Sequence, residues 1–259
     1  VDAPGLVRAF FAVGGAALVV AVAAALSPWP GGPAAVIVAS LTGLVAAYAL
    51  GMGCYMLYGS LVVKVRGRDT LLDLAPWTGG EAVLDVGCGR GLLLVAAARR
   101  VPAGRAVGID LWQAADQSGN RPEATLANAR AEGVAERVEV LTGDARQLPF
   151  PDGSFDVVVS HWVVHNLQEP ADRARALAEM ARVLKPGGWV LVADIGLHAE
   201  YVGRLQELGF VSVRHVVSRV GDSLRAAVSF GSFRPGVVVG QKHAEALLRP
   251  PTLNKNQHG

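Results

Sequence analysis

Charge is what this chain lacks, and the lack is local. Residues 9–63 contain no Asp, Glu, Lys or Arg, a run of 55 positions. From Lys64 onward the chain carries 23 of its 24 basic and 21 of its 22 acidic side chains. A stretch with no charged face has no side to turn to water, which excludes an ordinary surface helix there. Cysteine is scarce as well: Cys54 and Cys88 alone exclude a disulfide framework and a cysteine-based zinc site. No metal site is expected. The formal net charge of +2 is too small to argue for nucleic acid. A length of 259 residues excludes several large domains and leaves room for one α/β domain with an anchor.

Two apolar runs fill the uncharged region, residues 6–26 and 34–58. At 1.5 Å per residue they reach about 31 and 37 Å, enough for a hydrocarbon core of about 30 Å. Between them three prolines and two glycines in residues 27–33 force a turn. The pattern predicts a transmembrane helical hairpin over residues 1–63, with Trp29 and Tyr58 as interfacial anchors. Lys64, Arg66 and Arg68 follow the second run directly, so positive-inside logic predicts a cell-membrane protein of two spans with a cytoplasmic C-terminal domain. Small residues recur at Ala17, Ala21, Ala25 and at Gly43, Ala47, Gly51. That spacing permits close packing, within the hairpin or between chains as a homo-oligomer. The competing readings are a cleaved signal peptide over the first run and burial of both runs in a soluble core.

Past a connector at 64–78, short apolar runs alternate with helical stretches through 79–242. Strands are expected at 82–86, 106–109, 138–141, 155–159, 189–193, 211–217 and 237–240. Helices are expected at 92–100, 122–132, 171–183 and 199–208. Alternation of this kind means an α/β fold, a doubly wound, mostly parallel sheet covered by helices on both faces. Ligands bind such sheets at the carboxyl ends of the strands. The remainder, 243–259, reads as a loosely packed tail.

The strongest chemical signal is Val83-Leu-Asp-Val-Gly-Cys-Gly-Arg-Gly91. A buried strand ends at Asp85, and Gly87, Gly89 and Gly91 with Cys88 between them lead into a helix. Glycines let main-chain N–H groups approach a ligand at a helix N-terminus. Leu92 stands where a dinucleotide fingerprint wants a glycine, which disfavours a nicotinamide oxidoreductase. A carboxylate at Asp85 would repel a pyrophosphate and suit an amino-bearing or cationic ligand. The next strand ends at Asp110, where a carboxylate can accept both hydroxyls of a ribose. Leu111 and Trp112 beside it can pack on a purine. Thr142-Gly143-Asp144-Ala145 closes the third strand, with an acid able to accept from an exocyclic amine. The fourth ends at Ser160-His161, followed by His165.

Taken together in this order and spacing, residues 72–242 resemble the class I S-adenosylmethionine-dependent methyltransferases, including the branch with quinone and small-molecule methyltransferases. The resemblance implies a seven-stranded sheet of order 3-2-1-4-5-7-6 with the seventh strand antiparallel. It implies that Asp85, Gly87, Gly89 and Gly91 hold the methionine part of S-adenosyl-L-methionine, Asp110 the ribose, and Asp144 and Ala145 the adenine. Ser160 and His161 are implied to face the methyl donor. The turn residue Cys88, Gly143, Leu111 and Trp112 join the expected cofactor-binding set. One departure stands out: the loop 111–120 is long and is expected to lie over the cofactor.

Methyl transfer needs alignment of donor and acceptor and, where the acceptor must lose a proton, a base. His161 and His165 lie where an acceptor arrives and are the expected catalytic pair. Asp194 and His198 are candidates for acceptor contact, and His215 is expected to be structural. The expected activity is methylation of a small or lipid acceptor, apolar or membrane-associated: a lipid, isoprenoid, quinone or thiol, with the bilayer as a partner. A membrane-bound sensor that binds the cofactor without turnover is the alternative.

Overall fold

The computed structural model describes residues 3–26, 32–113, 117–217 and 235–244. Trp29 and residues 245–259 of the expected tail lie outside the described residues. The chain divides into two compact units, residues 1–67 with 113–120, and residues 68–112 with 121–259.

The first unit is built on two helices, α1 (Pro4–Leu26) and α2 (Pro33–Tyr58), both long and apolar enough to cross a membrane. Pro33 starts α2 at a position whose N–H needs no helical partner. After Tyr58 the helix widens into a π turn over Gly59–Val63. The two helices meet along Val7, Gly14 and Ala21 on α1 and Ala46, Ala49 and Gly53 on α2. Two knobs fit holes about one turn apart. A Cβ on Gly14 would lie 2.7 Å from Leu50 Cγ, and one on Gly53 would lie 3.0 Å from the Phe11 ring. The seam therefore follows the large side chains that need a hole. It takes in Ala21 and half-buries Ala17 and Gly43, while Ala25, Ala47 and Gly51 of the expected small-residue stripes stay exposed. Large apolar side chains outside the seam are uncovered, among them Leu18, Val19, Leu41 and Leu44.

The second unit begins within α3 (Lys64–Leu72). Arg68 pairs with Glu132, and Arg100 reaches Asp69 and Asp73. Seven strands follow: β1 (Ala82–Val86), β2 (Arg105–Asp110), β3 (Val138–Thr142), β4 (Phe155–His161), β5 (Leu184–Asp194), β6 (Phe210–Val217) and β7 (Gly236–Lys242). They form one sheet of order β3-β2-β1-β4-β5-β7-β6. The first five strands are parallel, and β7 runs antiparallel to both neighbours. Helices α4 (Leu92–Arg100), α5 (Pro122–Ala131), α6 (Pro170–Val183) and α7 (His198–Glu207) complete the unit.

Alternation along the strands feeds two cores. Val83, Val157, Val159 and Leu191 point to a layer with Leu93, Leu94 and Ala97 of α4. Leu84, Val86, Val158 and Val190 point to the opposite layer with Leu177 and Met180 of α6 and Tyr201 of α7. Strands buried on both faces read as nearly continuous apolar runs, which is why they are visible in the sequence. The strand β5 starts at Leu184, five residues before its expected start, because Leu184 pairs with Phe155 ahead of an irregularity in the register. The segment 184–188 is therefore part of the strand, with Gly187 at φ +79° within it.

Candidate active site

The glycine turn after β1 is fixed from three sides. The N–H groups of Gly87 and Cys88 both donate to the Ile109 carbonyl of β2, at 2.7 and 3.1 Å. Gly87 has φ +74°, and a Cβ there would sit 2.2 Å from Val163 Cγ2. No side chain fits, so the segment after β4 rests directly on the turn. Helix α5 braces the other side: Thr125 Oγ1 donates to the Gly89 carbonyl at 2.6 Å and Asn128 Nδ2 to the Arg90 carbonyl at 2.8 Å. Neither Thr125 nor Asn128 is singled out by the motif, because each is an ordinary polar residue on a helix, 36 and 38 residues downstream of its partner. Gly91, at φ +84°, precedes α4, and its backbone is pressed toward Thr125 as well.

Two carboxylates flank this turn. Asp85 is buried, and burial together with the negative charge of Asp110 pushes its pKa up to about 7. Asp110 accepts the Gly89 N–H on Oδ2 at 2.8 Å and the Trp112 N–H on Oδ1 at 2.7 Å. Its carboxylate is thereby aimed before any ligand arrives. Trp112 holds φ +59°, unusual for a bulky residue, and its indole donates to Thr142 Oγ1 at 2.9 Å. Leu111 is exposed beside it.

Other members of the expected set sit differently. Cys88 turns inward: its thiol is buried against Gly108 and Leu94, and burial with the charges of Asp85 and Asp110 raises its pKa. Gly143 lies over Ile109, where a Cβ would come within 2.5 Å of the Ile109 side chain. Asp144 is taken up by Arg146, which contacts it through the backbone N–H and the guanidinium and also reaches Asp172 at 2.8 Å. That hydrogen-bonded guanidinium holds the Asp144 carboxyl below the usual range. Ala145 packs half-buried against the core. Ser160 is buried and donates to the Val86 carbonyl at 3.0 Å, so it ties β4 to β1 and points into the sheet.

A second polar cluster is assembled from β4, β5 and α7. Parallel pairing places His161 opposite Ala193. His161 stacks on Trp162, ring centroids 5.3 Å apart. Trp162 has φ +61° and donates its N–H to the Ala193 carbonyl at 2.8 Å. A bulky residue in the left-handed region costs about 1–3 kcal/mol, and such strain gathers at functional sites. Three residues on, His165 lies in a short 3-10 turn and pairs through Nδ1 with Asp194 Oδ1. The same carboxylate accepts the His165 N–H at 3.0 Å, the Ile195 N–H at 2.9 Å and the Tyr201 hydroxyl at 2.9 Å. His198 contacts the Asp194 carbonyl through Nε2 at 3.1 Å and stacks on His215, centroids 4.2 Å apart. Burial and the neighbouring His198 hold the His215 pKa low. The sequence offers His165 as one candidate and Asp194 with His198 as a second pair. The structure brings them together and adds Tyr201.

A glycine turn closed to side chains and flanked by two carboxylates fits a ligand that carries an amino group, a positive centre and vicinal hydroxyls. Known proteins point the same way. Residues 84–192 match the family model described as a methyltransferase domain. The chain is 38% identical over 130 residues to Methyltransferase GfsG of Streptomyces halstedii, covering 50% of this chain and 43% of that one. It is 35% identical over 135 residues to the demethylmenaquinone methyltransferase of Thermus thermophilus, covering 52% and 56%. The chain spans about half the length of the curated relatives it matches. Among solved structures, geranyl diphosphate methyltransferase in complex with its cofactor superposes with a TM-score of 0.54 at 18% identity, covering 69% of this chain and 85% of that one. The [4+2]-cyclase SpnF superposes with a TM-score of 0.56 at 22% identity, covering 69% and 81%, a likeness of fold. Strand order, glycine turn and kinship agree: the chain carries a class I S-adenosylmethionine-dependent methyltransferase domain, and S-adenosylmethionine is the cofactor of that family.

Proposed function

We propose that this protein is a membrane-anchored methyltransferase that uses His165, oriented by Asp194, to take a proton from a small apolar acceptor. S-adenosylmethionine supplies a methyl group on a positively charged sulfur. Asp85 and the turn at Gly87, Gly89 and Gly91 would hold its methionine end, Asp110 its ribose, and the segment from Gly143 to Ala145 its adenine. With the Asp144 carboxyl engaged by Arg146 and the Gly143 N–H by the Asp110 carbonyl, the remaining main-chain groups of that segment are the better candidates for reading the base.

The observation that carries the base assignment is the His165–Asp194 pair. With Nδ1 committed to a buried carboxylate, Nε2 is the nitrogen left to work on an acceptor, and the carboxylate offsets the charge of the imidazolium that forms. A base so placed contributes about 10²–10⁴ in rate. His161, stacked on Trp162, is assigned to the wall of the acceptor site.

Membrane anchoring is supported by the two long apolar helices with uncovered outer faces and by the basic residues that follow them. That basic cluster favours a cytoplasmic domain. An anchored enzyme meets acceptors dissolved in the bilayer, which favours a quinone, isoprenoid or other lipid. Two relatives with demethylmenaquinone methyltransferase names and the geranyl diphosphate methyltransferase neighbour are consistent with that class.

The test is transfer of labelled methyl groups by the full chain, in lipid nanodiscs, to a lipid extract. The expected result is label in an organic-soluble product, reduced about 10²–10⁴-fold by His165→Gln with cofactor affinity kept. Tight binding of S-adenosylhomocysteine with no label in any fraction would favour a sensor that does not turn over.

A further inference from the structure

Asp194 collects hydrogen bonds from three separate stretches of the chain. It is fully buried, and four donors converge on it. Oδ1 receives His165 Nδ1 and the Ile195 N–H, and Oδ2 receives the His165 N–H and the Tyr201 hydroxyl. Three of these donors come from the backbone or from the proposed base itself. The fourth, Tyr201, comes from a different element, and its role is not set by the pairing of β4 with β5.

The chain goes to some length to deliver that hydroxyl. Helix α7 starts only four residues after β5 ends, and it does so through Leu197 at φ +62°, a conformation that costs a non-glycine residue energy. Tyr201 then donates its N–H to the Leu197 carbonyl, which sets it in the first turn of the helix above Asp194. Its neighbour Glu200 is clamped by Arg173 of α6 through two contacts, 2.8 and 3.0 Å. Tyr201 is itself completely buried, so its hydroxyl has no water to bond and its donor direction is fixed. Burial and the Asp194 charge push the phenol well above its ordinary range, and it stays a donor throughout the working range of pH.

Resting on the base assignment above, we infer that Tyr201 is a positioning residue: by holding Oδ2 of Asp194 it turns Oδ1 onto His165 and shares the carboxylate's charge, so that His165 keeps its proton on Nδ1 and presents Nε2 to the acceptor. The titratable and charged groups that face this network are His165 itself, His198 and Glu200 on α7, Arg173 on α6, and His215 on β6, which touches it through His198.

The sign of the effect follows. Without the Tyr201 hydroxyl, the same negative charge is divided among fewer donors, and the His165–Asp194 pair holds its extra proton more tightly. Tyr201→Phe removes one oxygen and keeps the ring. In the full chain, in nanodiscs, with ¹⁵N-labelled histidine and the His165 signals assigned by their loss in His165→Gln, Tyr201→Phe should move the protonation midpoint of the pair to higher pH, by about one unit or less, the scale of one hydrogen bond to a charged form. Affinity for S-adenosylhomocysteine should stay within about twofold, since the cofactor turn is untouched. Turnover should fall, and in a His165→Gln background the same substitution should have no further effect. In the wild-type chain the neutral His165 ring should carry its proton on Nδ1, a reading that needs no variant. An unchanged midpoint, a midpoint that moves down, an Nε2–H ring in the wild type, or a loss of turnover that persists in the His165→Gln background each overturns the inference. Full turnover of His165→Gln alone would instead remove the base assignment, and the midpoint of the pair would still report on Tyr201.

Discussion

The two lips of the sheet, the one after β1 to β3 that we assign to the cofactor and the one after β4 and β5 that we assign to the acceptor, are made of different material. On the first, main-chain groups and the absence of side chains do the work. Gly87 leaves space for Val163, two N–H groups share the Ile109 carbonyl, and Asp110 is held by two more. On the second, side chains from distant elements meet around one carboxylate, Asp194. A backbone-built surface tolerates few substitutions at its glycines. A side-chain-built one can be retuned one residue at a time while the fold stays.

The largest test of that contrast is Gly87→Ala. A left-handed φ costs a residue with a Cβ about 1–2 kcal/mol, and overpacking against Val163 costs about 1–3 kcal/mol more. The domain should lose stability by about that sum in urea titration and lose cofactor binding in calorimetry. Normal affinity in a stable protein would mean that the turn relaxes, and the contrast would weaken. Asp194→Asn should act on the other lip alone. Turnover is expected to drop about 10²-fold or more, with S-adenosylhomocysteine affinity retained; a matching loss of affinity would show that the two lips are not separable. Asp110→Ala should weaken cofactor binding by about 1–3 kcal/mol, the scale of a hydrogen bond to a charged group. Because that carboxylate also holds Gly89 and Trp112, thermal stability should fall with it, and an effect on affinity alone would contradict its place in the turn.

A further test is a dependence on pH. Asp85 has a folded pKa raised to about 7. For an acid whose folded pKa lies above its unfolded value, the stabilising contribution is fully present below the unfolded value and is lost as pH rises through the folded one. The ligand-free domain should therefore lose stability from about pH 4 to 7 through this group. A bound amino group beside Asp85 favours the ionised form, so the stabilisation given by S-adenosylhomocysteine should grow between about pH 6 and 8. Melting curves of wild type and Asp85→Asn, with and without ligand, read both slopes; an unchanged slope in the variant would remove Asp85 as the source.

How far the sequence reveals each lip follows from the same contrast. The turn from Asp85 to Gly91 is contiguous, and its glycines are needed where they stand, so a local motif carries it. The buried strands show as apolar runs, and the order of the sheet follows from the resemblance. The His165–Asp194–Tyr201 cluster spans 37 positions and depends on the register of β4 against β5 and on an unusual Leu197. No short pattern encodes it, and Tyr201 reads as an ordinary core residue of an amphipathic helix. Asp144 illustrates the opposite case: its motif is plain, while its partner Arg146 becomes visible only in the folded chain. In the hairpin the sequence shows small residues at four-residue spacing, of which Ala21 lies in the seam; Gly14 and Gly53, which face Leu50 and Phe11, lie outside that pattern and become visible only in the folded chain.

Cys88 gives this protein a built-in clock. Its sulfur lies sealed beneath the glycine turn, held in the unreactive thiol form, while the other cysteine, Cys54, is exposed on its helix. An alkylating reagent can mark Cys88 only during the moments when the turn lifts from β2, so the labelling rate counts those openings and their slowing by a bound ligand. Cysteine thus turns the hidden breathing of the cleft into a chemical record.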